Sequence, residues 1–143
     1  MLVVDDHLLL DVLAGTLTDS FRQLLGEHEF ATTPSWYYRL SRALASQRTQ
    51  GSLTRRFAEL AAGKQRQLET ALTLLPSTVA MVDARIAVPV MVAVAEMSRA
   101  NLLTAEALAA ALILEAEIAV STESAVLLEA AKAARVAVHL VRP

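Results

Sequence analysis

The chain has 143 residues, a formal net charge of −2, few aromatic residues and no cysteine. That length suits one domain with a substantial core, and the missing thiols exclude disulfides, thiol catalysis and thiolate zinc sites. The longest stretch without a charged residue, Thr70 to Val82, falls short of the ~18 apolar residues a membrane span requires. No basic segment precedes an apolar one, so a cytoplasmic protein with no secretory signal and no membrane partner is expected.

The chain opens on a short apolar strand, Leu2-Val3-Val4, ending in Asp5-Asp6. Residues 6–25 read as helix interrupted near Gly15 and Thr16, and Gly26 ends it. Phe30-Ala31-Thr32 is a second strand, and Thr33-Pro34 supplies an N-cap followed by proline at the first helical position. From Pro34 to about Ser46, Trp36, Leu40, Ala43 and Leu44 recur on one helical face. Gln47 to Ser52 is a polar loop, a long helix follows from about Leu53 to Leu72, and Leu74-Leu75 before Pro76 reads as a brief third strand. Asp83 through Met97 reads as a helix kinked at Pro89, although Ile86-Ala87-Val88-Pro89-Val90 is β-rich and periodicity does not arbitrate. Thr104 caps a helix to about Glu115; Ile118-Ala119-Val120 is a strand ending in Ser121-Thr122-Glu123; a helix from Ser124 to Ala134 and a strand from Val136 to Val141 close the chain. Strands alternating with helices predict a single α/β domain over residues 1–143, with helices on both faces of a mostly parallel sheet.

Several chemistries have no support. Gly15, Gly26, Gly51 and Gly63 are too dispersed for a phosphate-cradling loop, and the three histidines lack metal-ligand spacing. No serine sits in a Gly-x-Ser-x-Gly elbow. Charge, by contrast, is uneven. Arg39, Arg42, Arg48, Arg55, Arg56, Lys64 and Arg66 share their segment with one acid, Glu59. The segment is either a solvated helical surface or a face toward a polyanion.

The start, Val4-Asp5-Asp6-His7, resembles a response-regulator receiver domain. That family also needs a phosphoacceptor aspartate after its third strand, and no aspartate lies between Glu27 and Asp83. The order of parts resembles more closely a PIN domain, the fold of VapC-type toxin ribonucleases. The matching segments are Val3-Val4-Asp5, the helix start Thr33-Pro34-Ser35-Trp36-Tyr37-Tyr38-Arg39-Leu40, Glu106-Ala107-Leu108, and Ser121-Thr122-Glu123. The resemblance implies a three-layer α/β/α domain around a five-stranded sheet in the order 3-2-1-4-5. It also implies Asp5, Glu106 and Glu123 as catalytic and metal-binding carboxylates converging on one cleft, with Mg²⁺ or Mn²⁺ as the ion they would hold.

The sequence departs from that pattern. Arg39 stands where the family has its second acid, and glutamates stand where it has two late aspartates. Each Glu moves its carboxylate outward by about one C–C bond, ~1.5 Å, while magnesium demands near-ideal octahedral geometry. Arg39 is expected at the cleft edge, pairing with Asp5 or Glu106. All these acids also sit near helix starts, where the macrodipole favours them without any metal. The expectation is a PIN-like, nuclease-related, nucleic-acid-associated protein whose metal site is weakened or lost, with Arg39, Arg42, Arg55 and Arg56 meeting the nucleic acid. Two alternatives stay open: an active Mg²⁺- or Mn²⁺-dependent toxin-type ribonuclease, and a non-enzymatic interaction domain. RNA and an antitoxin-like protein are the expected partners, and a homodimer the expected assembly.

Overall fold

A computed structural model describes residues 1–26, 28–46 and 51–142. Five strands form one sheet: β1 (Leu2–Val4), β2 (Phe30–Ala31), β3 (Val79–Ala80), β4 (Glu117–Val120) and β5 (Val138–Leu140). Their spatial order is β3-β2-β1-β4-β5 and every pairing is parallel. Among the described residues eight helices accompany them: α1 (Asp6–Ala14), α2 (Asp19–Leu25), α3 (Pro34–Ala45), α4 (Ser52–Ala58), α5 (Ala62–Thr73), α6 (Ala84–Met97), α7 (Leu102–Leu114) and α8 (Ala125–Ala134). The expected α/β class, five-strand sheet and strand order are therefore present, with the sheet parallel throughout.

Strand geometry explains the two cores. Successive side chains on a strand point to opposite faces. Leu2 and Val4 accordingly join the core under α1, α2, α4 and α5, while Val3 joins the one under α6, α7 and α8. Strand β4 divides the same way, with Ile118 and Val120 on the second face and Ala119 on the first. A central parallel strand buried on both faces reads as an unbroken apolar run, and all three residues of β1 are buried. Leu9, Leu10 and Leu108 are fully buried, each contributing roughly 2 kcal/mol of transfer free energy. Helix α3 bridges the layers, placing Trp36 in one core and Leu40 in the other.

Local signals fix most boundaries. Asp5, Thr18, Thr33, Asn101 and Ser124 each accept a backbone N–H at the start of their helix, satisfying one of the orphan donors there. Gly15, at φ 66°, closes α1 in the left-handed conformation. Pro89 lies inside α6, removing the bond to the Arg85 carbonyl. It sits on an exposed face, where water can serve that carbonyl.

Three expectations need correction. The third strand is Val79–Ala80, not Leu74-Leu75: Leu74 is the C-cap of α5 and 82% exposed. The Pro76 carbonyl then accepts from Val79 N, turning the chain before it pairs with Phe30 and Ala31. The helix expected over Leu53–Leu72 is two helices, broken where Glu59 ends α4 and Ala61 begins the next. Thr104 does not cap α7; Asn101 does, with its side chain accepting from Thr104 N at 2.9 Å. The helix reading of Asp83–Met97 holds. Within the expected polar loop, Gln47 to Gln50 lie outside the described residues. No single helix among the described residues is long and apolar enough to cross a membrane.

Candidate functional site

In an open parallel sheet, ligands collect beyond the carboxyl ends of the strands where the strand order reverses. Here that point lies between β1 and β4. Asp5 follows β1 and Ser121 follows β4, and the two meet there. A cavity of about 340 Å³ opens over them, lined among others by Asp5, Asp6, Trp36, Arg39, Thr122 and Glu123. Beside it lies a second cavity of about 300 Å³, walled by Asp11, Arg55, Arg56, Glu59 and Arg142. His7, Ser52 and Ser121 line both. His7 Nε2 lies 3.0 Å from Ser52 Oγ, so this contact forms the partition between them.

Asp5 is 6% exposed and almost fully engaged. Its Oδ1 accepts from Leu8 N at 2.9 Å, the N-cap bond of α1. Its Oδ2 accepts from Ser121 N at 2.7 Å and from Ser121 Oγ at 2.8 Å. Three of the roughly four lone-pair sites of an ionised carboxylate are thereby occupied. The short bonds from Ser121 are charge-assisted and link the ends of two neighbouring strands.

Asp6 is 3% exposed, and its Oδ1 accepts from His7 N at 3.0 Å. Its Oδ2 lies 3.1 Å from Arg39 Nε but receives no hydrogen bond. The attraction is therefore between charges, with the N–H misaligned. Burial raises the Asp6 carboxyl above its usual range, Arg39 opposes that shift, and the neighbouring Asp5 charge reinforces it.

The sequence-derived carboxylates do not all converge. Asp5 and Glu123 line the same cavity, with Glu123 exposed at its rim. Glu106 lines a separate, largely apolar cavity of about 230 Å³ with Thr32, Ala87, Val88 and Leu102. Its Oε2 accepts from Ser35 N at 3.0 Å, so it holds an orphan donor in the first turn of α3. Arg39 does line the Asp5 cavity, but its partner is Asp6 rather than Asp5 or Glu106. Arg55 and Arg56 stand in the adjoining cavity, and Arg56 Nη2 meets Asp11 Oδ1 at 2.8 Å. Arg42 is exposed on α3 and lines neither cavity.

Several acidic groups near the switch point are already engaged, while Glu123 stands exposed at the cavity rim. Magnesium requires six oxygens in near-octahedral array, at least one or two of them available carboxylates. Here Asp5 is held by Leu8 and Ser121, Glu106 is held by Ser35, and a guanidinium rests on Asp6. Among the described residues no three acidic or histidine side chains are grouped to hold a metal. What the arrangement can do is receive an anion: Arg55, Arg56 and Arg142 line one cavity and Arg39 the next. Guanidinium groups match phosphate geometry well.

Sequence reasoning missed Ser121, whose hydroxyl and amide engage Asp5, and also His7, Asp11 and Arg142. The signal for Ser121 was present, since it immediately follows the apolar run ending at Val120. Fold and site together define an all-parallel three-layer α/β/α domain with a mixed-charge groove at its topological switch point. No protein-family model matches the chain, and no curated protein or solved structure matches it.

Proposed function

We propose that this chain is a PIN-like, nuclease-related protein that binds RNA at the carboxyl edge of its sheet while its own residues close the acidic site. The single observation that carries this reading is the engagement of Asp5 by Ser121 beside the Asp6–Arg39 contact. It couples a carboxylate-bearing switch point to guanidinium groups, with no open carboxylate cluster. The adjoining cavity supplies Arg55, Arg56 and Arg142 for backbone phosphates. A phosphodiester strand running over the His7–Ser52 partition meets both cavities. A cytoplasmic setting and an antitoxin-like partner belong to the same proposal.

The test is RNA binding against salt. For single strands, log K falls with log salt by about 0.7 per phosphate neutralised. Arg55→Ala with Arg142→Ala should therefore flatten the slope by roughly 1.4, equally for unrelated sequences, since phosphates carry no base identity. No RNA association at low salt overturns the reading. The active-ribonuclease alternative is favoured by one observation: Asp6 Oδ2 is buried at the cavity without a hydrogen-bond donor. RNA cleavage that depends on added Mn²⁺ and is lost in Asp6→Asn would establish that alternative instead.

A further inference from the structure

Helices α6 and α7 leave a gap between them. On α6, Ala87 and Met91 are one turn apart, and on α7 so are Glu106 and Ala110, so each pair shares a helical face. Alanine stands on both sides, and a methyl group fills little space. The gap is the cavity of about 230 Å³ that Glu106 lines. Thr32 and Thr33, both 1% exposed, form its inner wall, while Val88 and Leu102, at 50% and 66%, stand at its rim. Apart from the two hydroxyls and Glu106, every described side chain lining it is apolar. Glu106 thus brings a single negative charge with no cation in the wall to balance it. Its Oε2 accepts from Ser35 N, but its Oε1 takes no hydrogen bond or ion pair from the described residues. Unlike Asp6 Oδ2, that oxygen stays open to approach. Thr32 Oγ1 donates to the Val4 carbonyl at 3.1 Å and Thr33 Oγ1 accepts from Trp36 N at 3.2 Å. A hydroxyl has two accepting lone pairs, so each retains at least one.

We propose that this cavity binds a small arylalkylamine, its ammonium nitrogen on Glu106 Oε1 and its apolar body between α6 and α7. An ammonium carries three donors and no acceptor, which suits a carboxylate oxygen flanked by hydroxyl lone pairs. An anion meets the like charge of Glu106, and a neutral apolar body leaves Oε1 unused. Size narrows the class further. A dry cavity of about 150 Å³ accommodates benzene, so one of about 230 Å³ has room for roughly three more non-hydrogen atoms. Phenethylammonium, a ring with a short carbon arm ending in nitrogen, has that size. Met91, partly buried in the wall, is flexible enough to fit its side chain to the ring. None of the residues lining this cavity lines the Asp5 cavity, so the proposal stands apart from the RNA reading.

Titration of the isotope-labelled full chain with phenethylammonium chloride at neutral pH, followed by backbone amide chemical shifts, tests it. Binding should saturate with a dissociation constant on the order of 0.1–1 mM for a ligand of this size. The largest shifts should fall on residues 82–91, residues 102–110, Thr32 and Thr33. Phenethyl alcohol, which has the same shape without the charge, should bind on the order of 10-fold more weakly. Glu106→Gln keeps an oxygen for Ser35 N and removes the charge. It should weaken the ammonium on the order of 10-fold and leave the alcohol unchanged, so that the two probes bind alike. The amide spectrum of the variant reports whether its fold is kept, and the comparison of the two probes on wild type needs no variant. Absence of saturable shifts up to about 10 mM overturns the proposal. So do shifts centred on Asp5 and Glu123, equal affinity of wild type for both probes, or a folded Glu106→Gln variant that still prefers the ammonium.

Discussion

Replacing Asp5 with alanine separates a carboxylate that ties the structure together from one held ready for a ligand. The substitution removes the N-cap bond to Leu8 N and both bonds from Ser121. Loss of an N-cap costs about 1 kcal/mol. A hydrogen bond to a charged group contributes about 1.5–3 kcal/mol, and leaving the Ser121 N–H partly buried without an acceptor adds a desolvation cost. Because the three bonds share one carboxylate they are not additive, and Asp5→Ala should destabilise the fold by about 3–5 kcal/mol. Ser121→Ala removes only the hydroxyl bond and should cost about 1–2 kcal/mol. The double variant should show a coupling energy of about 1 kcal/mol, since once either partner is absent the other has less to lose. Urea unfolding followed by circular dichroism at neutral pH measures all three values. A loss below about 1 kcal/mol for Asp5→Ala, with no coupling to Ser121, would refute the reasoning and return Asp5 to the role of an uncommitted ligand.

Asp6 gives a pH-dependent expectation of a definite sign. Its folded carboxyl is raised by burial above the ordinary 3.8, so the folded chain binds that proton more readily than the unfolded one. Its contribution to stability is thus fullest below the ordinary value and is lost as pH rises through the folded value. Asp6→Asn should flatten that part of the stability profile, and an unchanged slope would count against it. Arg39→Glu removes the guanidinium from Asp6 and adds a carboxylate at the Asp5 cavity. Calorimetry should show tighter Mn²⁺ binding in this variant than in wild type, and identical isotherms would argue that Arg39 is not what closes the site.

The sheet was legible because its inner strands carry strong signals. Leu2–Val4 and Ile118–Val120 are unbroken apolar runs that stop at polar residues, as doubly covered parallel strands do. Edge strand β3 was not legible. Two residues offer no periodicity, and the more apolar pair Leu74-Leu75 lies just upstream of the Pro76 turn. The site divides similarly. Asp5 and Glu123 could be placed from strand ends alone. Glu106 could not, because α7 is apolar around most of its circumference, with Ala105, Ala107, Leu108, Ala109, Ala110 and Ala111 all buried. No polar stripe fixes the rotation of such a helix, so nothing in the sequence shows that Glu106 turns toward Ser35. The pairing of Arg39 with Asp6 depends on a side-chain direction that sequence spacing does not fix.

The central position of β1 also bears on how the chain is made. Strand β1 finds β2 early in synthesis, yet its other edge pairs only with Glu117–Val120. At about 5–20 residues per second that edge stays unpaired for several seconds on the ribosome. Through the same interval Ser35 N lacks Glu106 and Asp5 lacks Ser121. Until β4 has been made, the nascent chain therefore carries an open apolar strand edge of the kind that invites pairing with another polypeptide.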